Sequence, residues 1–283
     1  MFALAEELGE KRSEYISAVN SAVNTVRGIS LGHSTTFLYG LARVAGKGIR
    51  QVTAYDDSLQ TVTVASAFSA VAAAGDVLEI IFWDAEKRAN AFAAINEAIR
   101  LSWPYWYRET TVLASASAIT LATATDNYNL PTDCDGLIAV GIQMTNENVR
   151  WIPPVNKLTE QEYYRSEGSP GAPLVRFYPR FNREGGLNQY YTGQKLCTWY
   201  ATREPVMTAE TGASGTTQLP TEYFSTVAAE IYRRRWVGSK MDAGDERSLP
   251  LLQTVAQQTL QKLGYGKRPV NALMEELTPA AEE

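Results

Sequence analysis

Apolar positions recur at helical spacing near the start of the chain. Leu4, Leu8, Ile16, Val19, Val23 and Val26 fall at intervals compatible with one face of a helix over 2–26, with Gly28 as its stop. The period then changes. In "GIRQVTAYDDSLQTVTVASAF" Val62 and Val64 alternate with Thr61 and Thr63, the pattern of strands around an Asp-Asp-Ser turn, and "AAAGDVLEIIFW" adds a Gly-Asp turn and a further strand. Residues 28–83 read as a small β module.

Helical spacing returns after Asp84, a good N-cap for "AEKRANAFAAINEAIRLSW". Phe92, Ile95 and Ile99 form one apolar stripe. Pro104 has no backbone donor and disfavours helical geometry at Trp103, so the helix near 84–103 ends there. It ends on "WPYWY", four aromatic rings within five residues.

From 111 to about 206 the chain reads as β-rich. "VLASASAITLATATDNYNLP" alternates small residues, "GLIAVGIQM" has the continuous apolar character of a buried strand, and "YYTGQKLCTWYA" closes the region with another. "RSEGSPGAPLVRFYPRFNREGG" reads as a loop. After the linker "TAETGASGTTQLP", helical patterning predicts one helix near 221–237, stopped by Gly238, and another near 248–264, capped by Ser248 with Pro250 in its first turn. Their short connection predicts an antiparallel hairpin. The acidic end, 269–283, has little to bury and is expected to be mobile. The expected divisions are an N-terminal helix (1–27), the β module (28–83), helices (84–110 and 217–268), a β insertion (111–216) and this tail.

Composition narrows the functional classes. Of 283 residues, 45% are apolar and 20% charged, an ordinary globular balance. The net charge of −5 argues against a dedicated nucleic-acid binder. No apolar run is long enough to span a bilayer, and the first residues lack a signal-peptide pattern. Two widely separated cysteines, Cys134 and Cys197, read as reduced buried thiols.

Reactive constellations are not legible. His33, the single histidine, sits in "SLGHSTTF" and reads as a turn residue; with two distant cysteines it cannot build a soft metal site. "GLARVAGKGIR" fails the phosphate-loop pattern in both its glycine spacing and the residue after Lys47, and reads as a Gly-rich turn. No catalytic residue, metal ligand or cofactor site is expected. Arg233, Arg234 and Arg235 form the strongest basic cluster. They read first as last-turn cations offsetting a helix dipole and second as a channel or partner contact. Residues 150–200 are dense in aromatic side chains; Tyr163, Tyr164, Tyr178, Tyr190 and Tyr191 are candidate interface residues there, with ordinary β-sandwich aromatics as the equal alternative.

The order of these parts resembles a known family. A helix reading "INEAIRLSWPYWYR", a small-residue run ending in "YNLP", β segments with a Gly-Pro-rich loop, and "LP" opening a helical hairpin resemble tailed-bacteriophage head-to-tail adaptor (connector, or neck) proteins. "GKGIRQVTAYDDSLQTVTVASAFSAVAAAGD" is similar to the G-x-x-R-x-V-x-x-Y … T-V-T-V … A-F … A-x-G-D arrangement of such neck proteins. The resemblance covers most of 28–264. It implies an α+β fold, a helical bundle from which an antiparallel β-sandwich projects, beside the small N-terminal β module. It also implies a non-enzymatic virion protein without cofactors, assembled in the host cytoplasm. Copies would form a ring, about twelve by analogy with portal symmetry, between the portal and the tail or nozzle proteins. Genomic DNA would pass through it at ejection without sequence-specific binding, and no membrane would be involved. Within that architecture Trp103, Tyr105, Trp106 and Tyr107 are candidates for packing the helical layer against the β layer. The alternative reading is a receptor- or carbohydrate-binding tail module using the aromatic-rich β region.

Overall fold

At Thr61–Val64 the alternation becomes a strand with Val62 and Val64 buried and both threonines half-exposed, and pairing of such strands dominates the molecule. The computed structural model describes residues 1–18, 20, 22–29, 40–113, 119–122, 125–143, 149–152, 155–156, 161–162, 164–169, 171–177, 193–208, 217–237 and 248–267. The chain divides into two compact units, Met1–Leu101 with Pro205–Gly264, and Ser102–Glu204 with Tyr265–Glu283.

The first unit holds a six-stranded sheet. Its strands are β1 (Lys11–Tyr15), β2 (Thr25–Arg27), β3 (Leu41–Val44), β4 (Gly48–Asp56), β5 (Thr61–Val64) and β6 (Val77–Ile81), in the order β1-β6-β3-β4-β5-β2, every pair antiparallel. Ile16, Val26, Val44, Val52, Val62, Val64, Phe68, Leu78 and Ile80 meet in one core. The β4–β5 turn is held locally: the Asp56 carboxylate accepts bonds from the Ser58 hydroxyl (2.6 Å) and the Leu59 N–H (3.1 Å).

Helices complete this unit. α1 (Phe2–Glu7) buries Phe2, Leu4 and Ala5. α2 (Ala85–Ser102) starts where the Asp84 carboxylate accepts the Lys87 N–H at 2.7 Å. Its buried stripe is Ala91, Ala94, Ile95, Ala98 and Ile99, with Phe92 only half-buried. α3 runs through four consecutive segments: Thr221–Tyr223 and Ala229–Tyr232 are α-helical, Phe224–Ala228 and Arg233–Val237 π-helical. The Tyr223 hydroxyl donates to the Ala98 carbonyl at 2.7 Å, tying α3 to α2. α4 (Ser248–Lys262) buries Leu252, Ala256 and Leu260 and runs out at Gly264, whose φ of +73° suits a glycine terminator.

Two sheets of the second unit face each other. One takes β7 (Arg108–Val112), β8 (Ile119–Thr120), β10 (Gly136–Gln143), β11 (Val149–Ile152) and β16 (Lys195–Thr202), in the order β11-β10-β16-β7 with β8 also on β16. The other is β14 (Tyr164–Ser169), β15 (Ala172–Phe177) and β9 (Asn127–Asn129). A short pair, β12 (Val155–Asn156) with β13 (Gln161–Glu162), stands apart from both. Leu137, Val140, Ile142, Leu196 and Tyr200 pack against Tyr128, Tyr164, Val175 and Phe177 in a common core.

The fold corrects three expectations. Among the described residues it is mostly β, with three antiparallel sheets beyond the short pair and about four helices, so it is not an α+β fold built on a helical bundle. The helix expected over 2–26 stops at Glu7; Gly9 turns the chain at φ +71°, and Lys11–Tyr15 instead pairs with β6. Ile16 and Val26 satisfied the helical spacing because both are core residues of the sheet module, which absorbs an apolar side chain from a strand or a turn alike. Finally, "RSEGSPGAPLVRF" is a hairpin, paired from Tyr164↔Phe177 to Ser169↔Ala172. In Ala172–Phe177, Pro173, Val175 and Phe177 are buried in alternation with exposed Ala172 and Arg176 and half-buried Leu174.

Candidate contact surface

The aromatic run begins where α2 ends. The Trp103–Pro104 peptide is cis, and the Ser102 carbonyl accepts both the Tyr105 N–H (2.9 Å) and the Trp106 N–H (2.8 Å), closing the last turn. β7 then starts at Arg108. The rings are thus placed on a tight turn between a helix and a strand.

Their ring contacts lie within the second unit. Tyr107 is buried with Ile138 and Ala201, and Trp103 and Trp199 pack at the margin of that cluster. Trp103 meets Tyr107 edge-on, 6.1 Å between centroids. Two cations cap the rings: the Arg203 guanidinium lies 5.0 Å from the Trp103 centroid, and the Lys267 ammonium 4.7 Å from that of Tyr107 and 5.9 Å from that of Trp106. Lys267 also donates its N–H to the Tyr105 carbonyl (2.8 Å) and its ammonium to Glu109 (2.9 Å), while Tyr265 sits edge-on to Trp106 at 5.5 Å. Burial first, and the Glu109 charge second, push the Tyr107 hydroxyl up to about 12, so it stays a neutral phenol at physiological pH. The indole N–H of Trp106 is buried without a hydrogen-bond partner among the described residues.

The arginine cluster is committed to carboxylates of its own unit. Arg233 pairs with Glu7 (3.2 Å), Arg234 with Glu230 (2.5 Å) and Arg235 with Glu97 (2.5 Å), so the three reach α1, α3 and α2 in turn. Of the candidate interface tyrosines, Tyr164 is a core residue, its hydroxyl donating to the Ile152 carbonyl at 3.1 Å. Tyr163, Tyr178, Tyr190 and Tyr191 lie outside the described residues, as does His33.

Several contact residues were not legible in the sequence. Trp151 is 40% exposed on β11 and meets Trp199 of β16 edge-on at 6.2 Å. Gly141 makes this possible: a Cβ there would stand 2.5 Å from Val149 Cγ1 and 3.0 Å from Trp151 Cε3. Only the register of three strands brings these residues together. In the first unit Trp83, Tyr232 and Trp236 form a column with centroids 6.2 and 5.6 Å apart, and the Trp83 indole donates to Glu10. Tyr232 and Trp236 share a helix face at i and i+4, a spacing that was available to reading; the partner Trp83 was not.

Other chemistry is sparse. Cys134 and Cys197 are buried thiols outside any disulfide, and burial, with Asp135 and Asp133 beside it, pushes the Cys134 thiol up to about 12, far from a reactive thiolate. Among the described residues no group of three His, Cys, Asp or Glu side chains could hold a metal ion, and no helix is long and apolar enough to cross a membrane. No protein-family model matches the chain, and no curated protein matches it significantly.

Proposed function

We propose that the chain is a structural adaptor of the tailed-phage head–tail junction. Copies close into a ring, about twelve by analogy with portal symmetry, that joins the portal to tail or nozzle proteins and lets the genome pass. The reading keeps the order of parts quoted from the sequence and dispenses with the helical bundle, which the fold excludes.

Apolar surface on the helical elements of the first unit carries the proposal. Trp236 at the end of α3 and Leu249 and Leu251 at the start of α4 are 36%, 43% and 46% exposed. Large apolar groups left outside a folded chain are the raw material of protein–protein contact. The arginine pairing is consistent with it, because guanidinium groups already held by carboxylates grip passing phosphates weakly.

Mass spectrometry of purified particles whose genome encodes the chain tests the proposal, together with negative-stain imaging of the protein mixed with its portal. Closed rings on the portal and presence at the head–tail junction are expected; absence from particles overturns it. The exposed Trp151 beside Trp199 favours a second reading, a saccharide-binding tail module, since an indole face stacks on a sugar ring. Glycan-array binding that is lost in Trp151→Ala would select that reading over the first.

A further inference from the structure

In the second unit, the free ends of both sheets border one cavity. β7 and β8 end the five-stranded sheet, β9 ends the three-stranded one, and between them lies a cavity of about 420 Å³. Its floor includes the buried side chains of Leu130, Leu196 and Tyr200; Val112 and Ile119, half-buried, and Asn129, exposed, stand at its rim. The register sets Val112 opposite Thr198 and Thr110 opposite Tyr200, so alternate side chains of β7 share the face that lines the cavity. Among the described residues β7 pairs along one side only, with β16. Alternate N–H and C=O groups of an edge strand point away from its sheet and remain available for another strand.

We propose that this edge receives an extended segment of a partner polypeptide, added as a strand beside Thr110–Val112, with apolar side chains at alternate positions entering the cavity. A strand offers both kinds of complement at once. It brings backbone donors and acceptors at the repeat of the edge, and one side chain in two toward the cavity. A small apolar ligand could fill a volume of this size, within the roughly 300–1,000 Å³ usual for ligand pockets, but would leave the edge backbone unanswered. The lip residues Thr110, Thr111 and Val112 carry no charge. The matching segment is therefore neutral and selected by its alternation.

The probe is a short fluorescein-labelled peptide alternating Thr and Val with a Lys at each end, titrated into the full-length protein and followed by anisotropy. Saturable binding is expected, with the amides of Thr110–Val112 gaining protection from hydrogen exchange. Replacing every Val of the peptide by Ser, or N-methylating the alternate amides that face β7, should weaken binding at least about tenfold, the effect of losing one or two hydrogen bonds or buried side chains. Val112→Lys, which puts a charge at the rim, should do the same. Should that variant fail to fold, the N-methylated peptide still decides, because it leaves the protein unchanged. No binding to the wild type, equal binding of the N-methylated peptide, or protection confined to other strands would each overturn the inference.

Discussion

Arg108 and Glu204 join the first residue of β7 to the segment just after β16. Two bonds hold them, Arg108 Nε to Glu204 Oε2 at 3.0 Å and Nη2 to Oε1 at 2.8 Å. The pair is unequally buried: the Glu204 side chain is 0% exposed and that of Arg108 32%. Removing one partner therefore differs from removing the other. Arg108→Ala takes the guanidinium away from a carboxylate buried in the interior, a loss of about 3–5 kcal/mol for a buried pair. Glu204→Gln leaves an acceptor for one N–H and lets the guanidinium turn to water, so the loss is about 1–2 kcal/mol. Replacing both by Leu removes the desolvation penalty along with the attraction and should come back close to wild type.

Calorimetry and urea titration of the intact protein measure these differences. For a domain of about a hundred residues, 1 kcal/mol moves the midpoint by roughly 4–8 °C. The transition of the second unit should fall by about 12 °C or more in Arg108→Ala and by about 4–16 °C in Glu204→Gln, with the larger fall in Arg108→Ala. Equal losses in the two variants, or a loss under about 1 kcal/mol in Arg108→Ala, would refute the claim that burial of the carboxylate sets the cost.

Three further outcomes are expected. Gly141→Ala should destabilise by about 1–3 kcal/mol in urea titration, because the added methyl overlaps Val149 and crowds Trp151. Alkaline absorbance titration should show a late class of tyrosines: burial pushes Tyr107 and Tyr200 up to about 12, and raises Tyr164, Tyr223 and Tyr232 as well, so these five should ionise above the usual phenol range or only on unfolding. The bond from Lys47, with a second from the Ala73 N–H, holds the Asp76 carboxyl below its usual 3.8. Stability from a lowered carboxyl is present above the unfolded value and is lost as pH falls through the folded one. The advantage of wild type over Asp76→Asn should thus be full at about pH 5 and fade below 3.8.

What could be read from the chain was local. Val62 and Val64, the cap at Asp84 and the stop at Pro104 each act within a few residues, and each appears where its chemistry puts it. Pairing between distant segments was not readable. Lys11–Tyr15 is charged and short, and only its partner β6, Val77–Ile81, makes it a strand. The same holds for Tyr164–Ser169, whose Ser, Glu and Gly residues have turn character until β15 pairs with them and β15 in turn with β9. Helical spacing misled at 2–26 because a mean period over few apolar residues does not distinguish a helix face from scattered core contacts. The cations over the aromatic run were hidden for the same reason. Arg203 and Lys267 are far from Trp103 and Tyr107 in sequence, and a cation over a ring face leaves no spacing to detect.

The arginine triplet carries this reasoning from sequence to role. As a string it is a block of like charge, whose proximity costs free energy unless counter-charges are supplied. Three successive residues of this π-helical turn point in different directions around the axis, so no single surface receives all three. They are instead met one by one, Arg233 by Glu7 of α1, Arg234 by Glu230 one turn back and Arg235 by Glu97 of α2. Glu97 is the most enclosed of the three acids, with 14% of its side chain exposed, so its pair is the least screened by solvent. A cluster arranged to grip a phosphate ladder would align its cations along one face with their donors free. Divergent pairs do the opposite: those to Glu7 and Glu97 fasten α3 to α1 and α2, and the one to Glu230 stays within α3. The triplet thus ties the helical elements of the first unit together, while Trp236 on α3 and Leu249 and Leu251 on α4 remain exposed.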